Sequence, residues 1–128
     1  MLQKIIDIDD LVGVKYKEDG RDKNGYDCYG LAMEVSKRFG NELPELSDLT
    51  MPKEKSRDEV LSKIDEEEKK EANEEGDLIL INDGNGIFSH IGVYLGDDRF
   101  IHCNIFGVHI NKIREYKDKI GRVYGWQK

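Results

Sequence analysis

From Asp77 onward the chain is a succession of short apolar runs, each followed by a turn signal, and this meander restricts the fold more than any other feature. Asp77-Leu78-Ile79-Leu80-Ile81 has the length and apolarity of a buried strand. Asp83-Gly84-Asn85-Gly86 is a strong turn signal, and Gly96-Asp97-Asp98 makes a tight connection. Between and beyond these lie further strands at Ile87 to Leu95, Arg99 to Asn104, Val108 to Ile113 and Arg122 to Trp126. Connections this short join antiparallel neighbours, so an antiparallel sheet of about five strands is predicted.

The first half is different. Cys28, Leu31, Ala32, Val35 and Phe39 follow helical spacing, with Asp27 as N-cap and Gly40 as C-terminal stop. Gly30 in the first turn costs helix propensity and permits close approach of backbone or substrate. Ser56-Arg57-Asp58-Glu59 has the form of a capping box, and Val60, Leu61 and Ile64 mark one face of a second helix. Asp65 to Glu71 continues that helix as a solvated acidic surface, giving a helix over about 57–75. A short helix is expected within residues 1–12, a glycine-rich loop over 13–27 and an irregular connection over 41–55. Helices first and a strand meander after them make an α+β fold, and 128 residues make one domain, 1–128.

Three residues in this frame suit one chemistry. Cys28 starts the helix, His90 opens the strand Ser89 to Leu95, and His102 lies in the next strand. A thiol at a helix start meets free backbone N–H groups and a positive dipole end, which favour its thiolate and can hold an oxyanion; the neighbouring Asp27 opposes this slightly. Side chains alternate along a strand, so His90, Gly92 and Tyr94 share one face and Ile91, Val93 and Leu95 form the core face. Phe100, His102 and Asn104 likewise share a face opposite Ile101 and Cys103. A hairpin turning near Asp97 sets His90 opposite or diagonal to His102, and both registers allow the imidazoles to hydrogen-bond. Gly92 is expected to leave open space beside His90. A nucleophile, a base and a group that orients the base together point to a cysteine hydrolase.

Each residue also has a plainer reading. Cys28 on an apolar helix face can be a small core residue, and the histidines can be satisfied core groups. A Cys28–His90–His102 zinc site is an alternative, but no local ligand pair supports it, and His102 and Cys103 point to opposite faces. No metal and no cofactor are therefore expected. Cys103 is expected in the core behind the site, His109 as structural or surface, and both cysteines as free thiols.

Charge narrows the partners. A formal net charge of −7 argues against nonspecific nucleic-acid binding and against docking on anionic lipid. No segment reaches the roughly 20 apolar residues of a membrane helix. The start, Met1-Leu2-Gln3-Lys4-Ile5-Ile6-Asp7, lacks the apolar core of a secretory signal, so the expectation is synthesis in the cytoplasm without a signal peptide, with any association with a virion or release to the cell wall by another route.

The sequence resembles the NlpC-type cell-wall peptidases of the papain-like cysteine peptidase superfamily. The matching stretches are Gly25 to Leu31, Glu75 to Ile79, Ser89 to Gly96 and Arg99 to His102, in the family's order. Leu11-Val12-Gly13-Val14-Lys15-Tyr16 resembles the stretch with an active-site tyrosine. The resemblance implies a papain-like domain with the cysteine helix packed on the sheet. It implies hydrolysis of amide bonds in peptidoglycan stem peptides, usually between γ-D-glutamate and a diamino acid. Cys28 would be the nucleophile, His90 the general base and His102 its orienting partner. Tyr16 would lie by the thiol and help bind the oxyanion, with Asp27 and Tyr29 beside it. Arg21 or Lys23, near the cysteine loop, would bind substrate carboxylates. Tyr29 stands where a small serine is common and would narrow the site if it faced the cleft. The acidic helix would serve as a lid or docking surface. The lack of an attached wall-binding module suggests a phage or prophage protein with tail proteins as partners. A tail component without turnover and a papain-like acyl transferase are the competing readings.

Overall fold

The computed structural model describes residues 7–43, 64–82 and 88–126. Its single α-helix among these, α1 (Cys28–Arg38), begins where Asp27 caps it. The Asp27 backbone is extended, and its carboxylate accepts the Gly30 N–H at 2.6 Å. This is the side-chain capture of an orphan N–H that makes aspartate a good N-cap. At the other end Gly40 adopts φ +89°, and the N–H groups of Gly40 and Asn41 return to the carbonyls of Lys37 and Ser36. A left-handed residue there ends a helix, and glycine enters that region without a Cβ penalty. Arg38 holds the preceding chain against the last turn, with both carboxylate oxygens of Asp10, the Asp7 carbonyl and Glu34 as its acceptors.

A small ribbon precedes the helix: β1 (Arg21–Asp22) pairs with β2 (Gly25–Tyr26). The predicted loop over 13–27 therefore contains a short hairpin. Residues 9–13 form turns where a short helix was expected, and residues 1–6 lie outside the described residues.

The second half is one antiparallel sheet: β3 (Ile64–Lys69), β4 (Leu78–Asn82), β5 (Phe88–Gly96), β6 (Arg99–Asn104), β7 (Gly107–Lys112) and β8 (Ile120–Trp126). Their order across the sheet is β3-β8-β4-β5-β6-β7. The five expected strands are all present. β3 is a correction: Asp65 to Lys69 belongs to a strand paired with β8, whereas a solvated helix was predicted. Edge position explains it, because a charged strand at a sheet edge supplies its backbone bonds to one neighbour and needs no apolar face. Lys69 is tied in by Asp77, whose buried carboxylate accepts the Lys69 ammonium at 3.0 Å and the N–H groups of Asn73 and Glu74. The capping box at Ser56–Glu59, the connection over 44–55 and the turn at Asp83–Gly86 lie outside the described residues.

The β5–β6 hairpin turns through Asp97 and Asp98 at φ 52° and 65°. Two consecutive left-handed residues are the mirror-image turn whose twist suits a hairpin. The sheet buries both faces. Ile91, Val93 and Leu95, with Ile101, Cys103, Val108, Leu78 and Tyr124, pack with Tyr29, Leu31, Ala32 and Val35 of α1. Ile79, Ile81, Phe100 and Val123 form a second apolar cluster on the other face, joined by Tyr94, Ile113, Tyr116 and Ile120.

Candidate active site

Cys28, the first residue of α1, is partly buried against the helix-side core. Backbone hydrogen bonds from Ile91, Tyr29 and Cys28 itself favour its thiolate. Burial, followed by the Asp27 carboxylate, outweighs them and pushes the thiol up to about 11. The expectation of a stabilised thiolate is thus reversed. The N–H groups are in place as predicted, but desolvation is the larger effect. At neutral pH the group is a thiol that needs a base. Ile91 directly follows His90 on β5, so its backbone bond seats the sulfur beside the stretch that bears the base.

Gly92 pairs with His102 across β5 and β6, which sets His90 diagonal to His102. Of the two registers open from sequence, this is the one adopted. His90 Nε2 lies 2.7 Å from His102 Nδ1. His102 is only 1 % exposed. Phe100 stacks on its ring at 4.6 Å, with His109 at 4.3 Å and Tyr116 at 5.3 Å. Burial lowers His102 to about 4; the Asn111 hydrogen bond works against that, and His109 adds to it. The imidazole is therefore neutral at neutral pH.

The space beside His90 is not open. A Cβ at Gly92 would lie 2.8 Å from Phe100 Cδ2 and 3.2 Å from the Ile101 carbonyl oxygen. Gly92 admits the Phe100 ring, and that ring packs on His102. Gly30 does permit a close backbone approach, since the Gly20 carbonyl occupies the place of its missing Cβ.

The other expected residues fall into two groups. Tyr16 is 39 % exposed and bridges to Tyr26 in parallel. Burial and then Asp27 raise its hydroxyl, with Cys28 among the lesser contributors, which puts it within electrostatic range of the thiol. Tyr29 is 1 % exposed and belongs to the core, so its ring does not narrow a cleft; its backbone N–H is the part that serves Cys28. Arg21 Nη1 donates to Asp27 at 2.9 Å and to the Gly20 carbonyl at 2.8 Å, so this side chain steadies the cap. Lys23 is exposed in the β1–β2 turn. Cys103 is a buried free thiol that donates to the Tyr26 carbonyl at 3.1 Å, in the core as expected. Among the described residues no group of three or more His, Cys, Asp or Glu is placed to hold a metal ion.

Two neighbours of His102 escaped the sequence reading. His109 pairs directly with His102 across β6 and β7, and it touches the imidazole rather than lying apart as a structural or surface residue. Asn111 Oδ1 lies 2.7 Å from His102 Nε2. Strand parity carries the signal for both. A turn at Ile105-Phe106 pairs Asn104 with Gly107, which puts His109 and Asn111 on the His102 face.

A helix with a cysteine at its start, packed on an antiparallel sheet that carries a hydrogen-bonded histidine pair, defines a papain-like α+β domain. Residues 13–123 match the model of the NlpC/P60 family, and the chain belongs to that family. It is 31 % identical over 110 residues to the murein DD-endopeptidase MepS/murein LD-carboxypeptidase of Escherichia coli K12, covering 83 % of this chain and 51 % of that protein. It is 31 % identical over 106 residues to a probable endopeptidase NlpC homolog of Haemophilus influenzae, covering 81 % of this chain and 50 % of that one. The chain thus spans about half the length of these curated relatives. The crystal structure of a lipoprotein-like NLP/P60 family protein from Staphylococcus aureus superposes with a TM-score of 0.64 at 22 % identity, over 92 % of this chain and 38 % of that one. That likeness supports the fold.

Proposed function

We propose that this chain is a cysteine peptidase that hydrolyses amide bonds in peptidoglycan stem peptides. The observation that carries the reading is the 2.7 Å bond between His90 and His102, on the strand whose next residue, Ile91, hydrogen-bonds the Cys28 sulfur. A buried thiol near 11 is a poor nucleophile until a base takes its proton, and His90 is the base at hand. The Cys28 sulfur attacks the amide carbonyl carbon as His90 takes the thiol proton. Backbone N–H groups at the start of α1, with the Tyr16 hydroxyl, hold the oxyanion. The C–N bond breaks, His90 passes its proton to the leaving amine, and an acyl thioester remains on Cys28. Water then attacks the thioester, His90 takes a proton from that water, and the released thiolate recovers it.

The murein named in the Escherichia coli relative supports the substrate class, and family membership with the endopeptidase name of the Haemophilus influenzae relative supports the peptidase reading. Within it, the bond between γ-D-glutamate and a diamino acid is the proposed target. The name of the Escherichia coli relative specifies other bonds, so the test needs a panel. Stem tripeptides, tetrapeptides and D,D-crosslinked dimers are incubated with reduced protein and with Cys28→Ala, and the products are weighed by mass spectrometry. Cleavage after γ-D-glutamate by the native chain alone is the expected result. Cleavage that persists in Cys28→Ala removes the thiol mechanism, and cleavage only of the crosslink or only of the terminal residue moves the target bond.

A further inference from the structure

The His90–His102 pair leaves one question that decides whether it can work: which nitrogen of each ring carries the proton. The neighbours of His102 answer it. Beyond β7 the chain makes a 3₁₀ turn, Ile113–Tyr116, in which the Lys112 backbone N–H donates to Glu115 Oε1 at 2.7 Å. That bond, with Asn111 next, holds the Glu115 carboxyl below its ordinary value, so Glu115 is an acceptor only. The Asn111 amide faces it through Nδ2, at 3.4 Å from Glu115 Oε1. With the NH₂ end turned to a carboxylate, Oδ1 is the end that meets His102 Nε2 at 2.7 Å. An amide oxygen only accepts, so His102 Nε2 must be the donor and carries the proton. The buried imidazole is neutral, so its Nδ1 is a lone pair, and the 2.7 Å contact to His90 requires His90 Nε2 to donate. The basic lone pair of a neutral His90 is then on Nδ1.

We propose that Asn111, oriented by Glu115, is a positioning residue that sets the tautomers of both histidines and so leaves His90 Nδ1 as the nitrogen that takes the Cys28 proton. Asn111 touches neither the thiol nor the substrate in this role; it acts through His102. Without it, His102 can carry its proton on Nδ1 instead, and His90 is then driven to place its own proton on Nδ1, where it cannot act as a base. The inference rests on the proposed peptidase reading for its consequence in turnover, but the tautomers themselves can be read without turnover.

The experiment uses the full chain with ¹⁵N-labelled histidine, in native form, as Asn111→Leu and as Asn111→Asp. Long-range ¹H–¹⁵N spectra at neutral pH assign the protonated nitrogen of each ring. The native chain and Asn111→Asp, which keeps an acceptor, are expected to show Nε2–H on both His90 and His102. Asn111→Leu is expected to lose that uniform state and to lower kcat on a cleaved stem peptide by roughly tenfold or more, with KM changed less than about twofold. Asn111→Asp is expected to recover most of kcat and to raise the pH at which His102 titrates in the spectra, because a carboxylate favours the imidazolium. A residue that merely fills space would not move the tautomer or that titration. Unchanged tautomers in Asn111→Leu overturn the proposal, as does a changed tautomer with native kcat, or an Asn111→Asp chain that fails to restore Nε2–H. If the native chain cleaves no stem peptide, the peptidase reading fails, and the spectra still decide the tautomer assignment.

Discussion

Acid should weaken this fold through His102 in particular, and the size of the effect can be worked out. In the unfolded chain this imidazole takes a proton at its ordinary value of 6.5, whereas burial in the fold delays that to about 4. Between those values the unfolded chain binds more protons than the folded one, so stability rises with pH. The contribution is complete above 6.5, is lost as the pH falls towards 4, and is flat below. At about 1.4 kcal/mol per pH unit, the window is worth about 3 kcal/mol. His102 is 1 % exposed, which leaves little solvent screening to reduce this. The assay is urea unfolding at pH 4, 5, 6 and 7 for the native chain and for His102→Gln, which cannot titrate but keeps a hydrogen-bonding group toward His90. The native chain should lose about 3 kcal/mol relative to the variant from pH 7 to pH 4. Parallel curves would show that His102 titrates as it does in the unfolded chain. A native chain that gains on the variant in acid would show that the fold holds the imidazolium, and the neutral relay would be refuted.

Asp27→Ala removes both the Gly30 cap bond and the Arg21 ion pair, and should cost about 2–4 kcal/mol in urea unfolding. Asp27→Asn keeps a capping oxygen and should cost about 1 kcal/mol, while lowering the pH at which Cys28 reacts with iodoacetamide because a raising charge is gone. Equal costs for the two variants, or no change in thiol reactivity, would contradict the assigned role of the carboxylate. Gly92→Ala should destabilise the fold by about 1–3 kcal/mol and lower kcat, because its Cβ displaces the ring stacked on His102; a native-like melt and turnover would count against this. Burial lifts Cys103 from 9.0 to about 12, so stability is full below pH 9 and falls as the pH rises toward 12, by up to about 1.4 kcal/mol per pH unit. Cys103→Ala should show a shallower alkaline loss in the same unfolding assay.

The sequence was most legible where period and turn chemistry agreed. Strand alternation placed Ile91, Val93 and Leu95 on the helix-side core, and the Asp27 cap and Gly40 stop bounded α1. The histidine pair followed from the same alternation with the short Asp97 turn. Four things were not legible, each for a physical reason. Asp65 to Lys69 reads as a solvated helix by composition, and only the free edge of β8 and the Asp77 carboxylate make it a strand. The Cys28 thiol reads as activated from its helix position, but the balance turns on how far the sheet desolvates it, which no local pattern records. Gly92 reads as open space because a sequence does not say which neighbour fills the gap; Phe100 does. Asn111 was hidden because its place beside His102 depends on the β6–β7 register, which the turn at Ile105-Phe106 sets.

The most direct test of the account is whether acyl transfer passes through Cys28. Reduced protein is mixed with a stem peptide, quenched in acid within milliseconds to seconds, and weighed intact and after digestion. The account predicts a transient mass increase equal to the fragment that contributes the carbonyl of the cut bond, less water, located on the peptide that contains Cys28 and absent from Cys28→Ala. Peptide consumed with no adduct at any time, together with undiminished cleavage by Cys28→Ala, would contradict it.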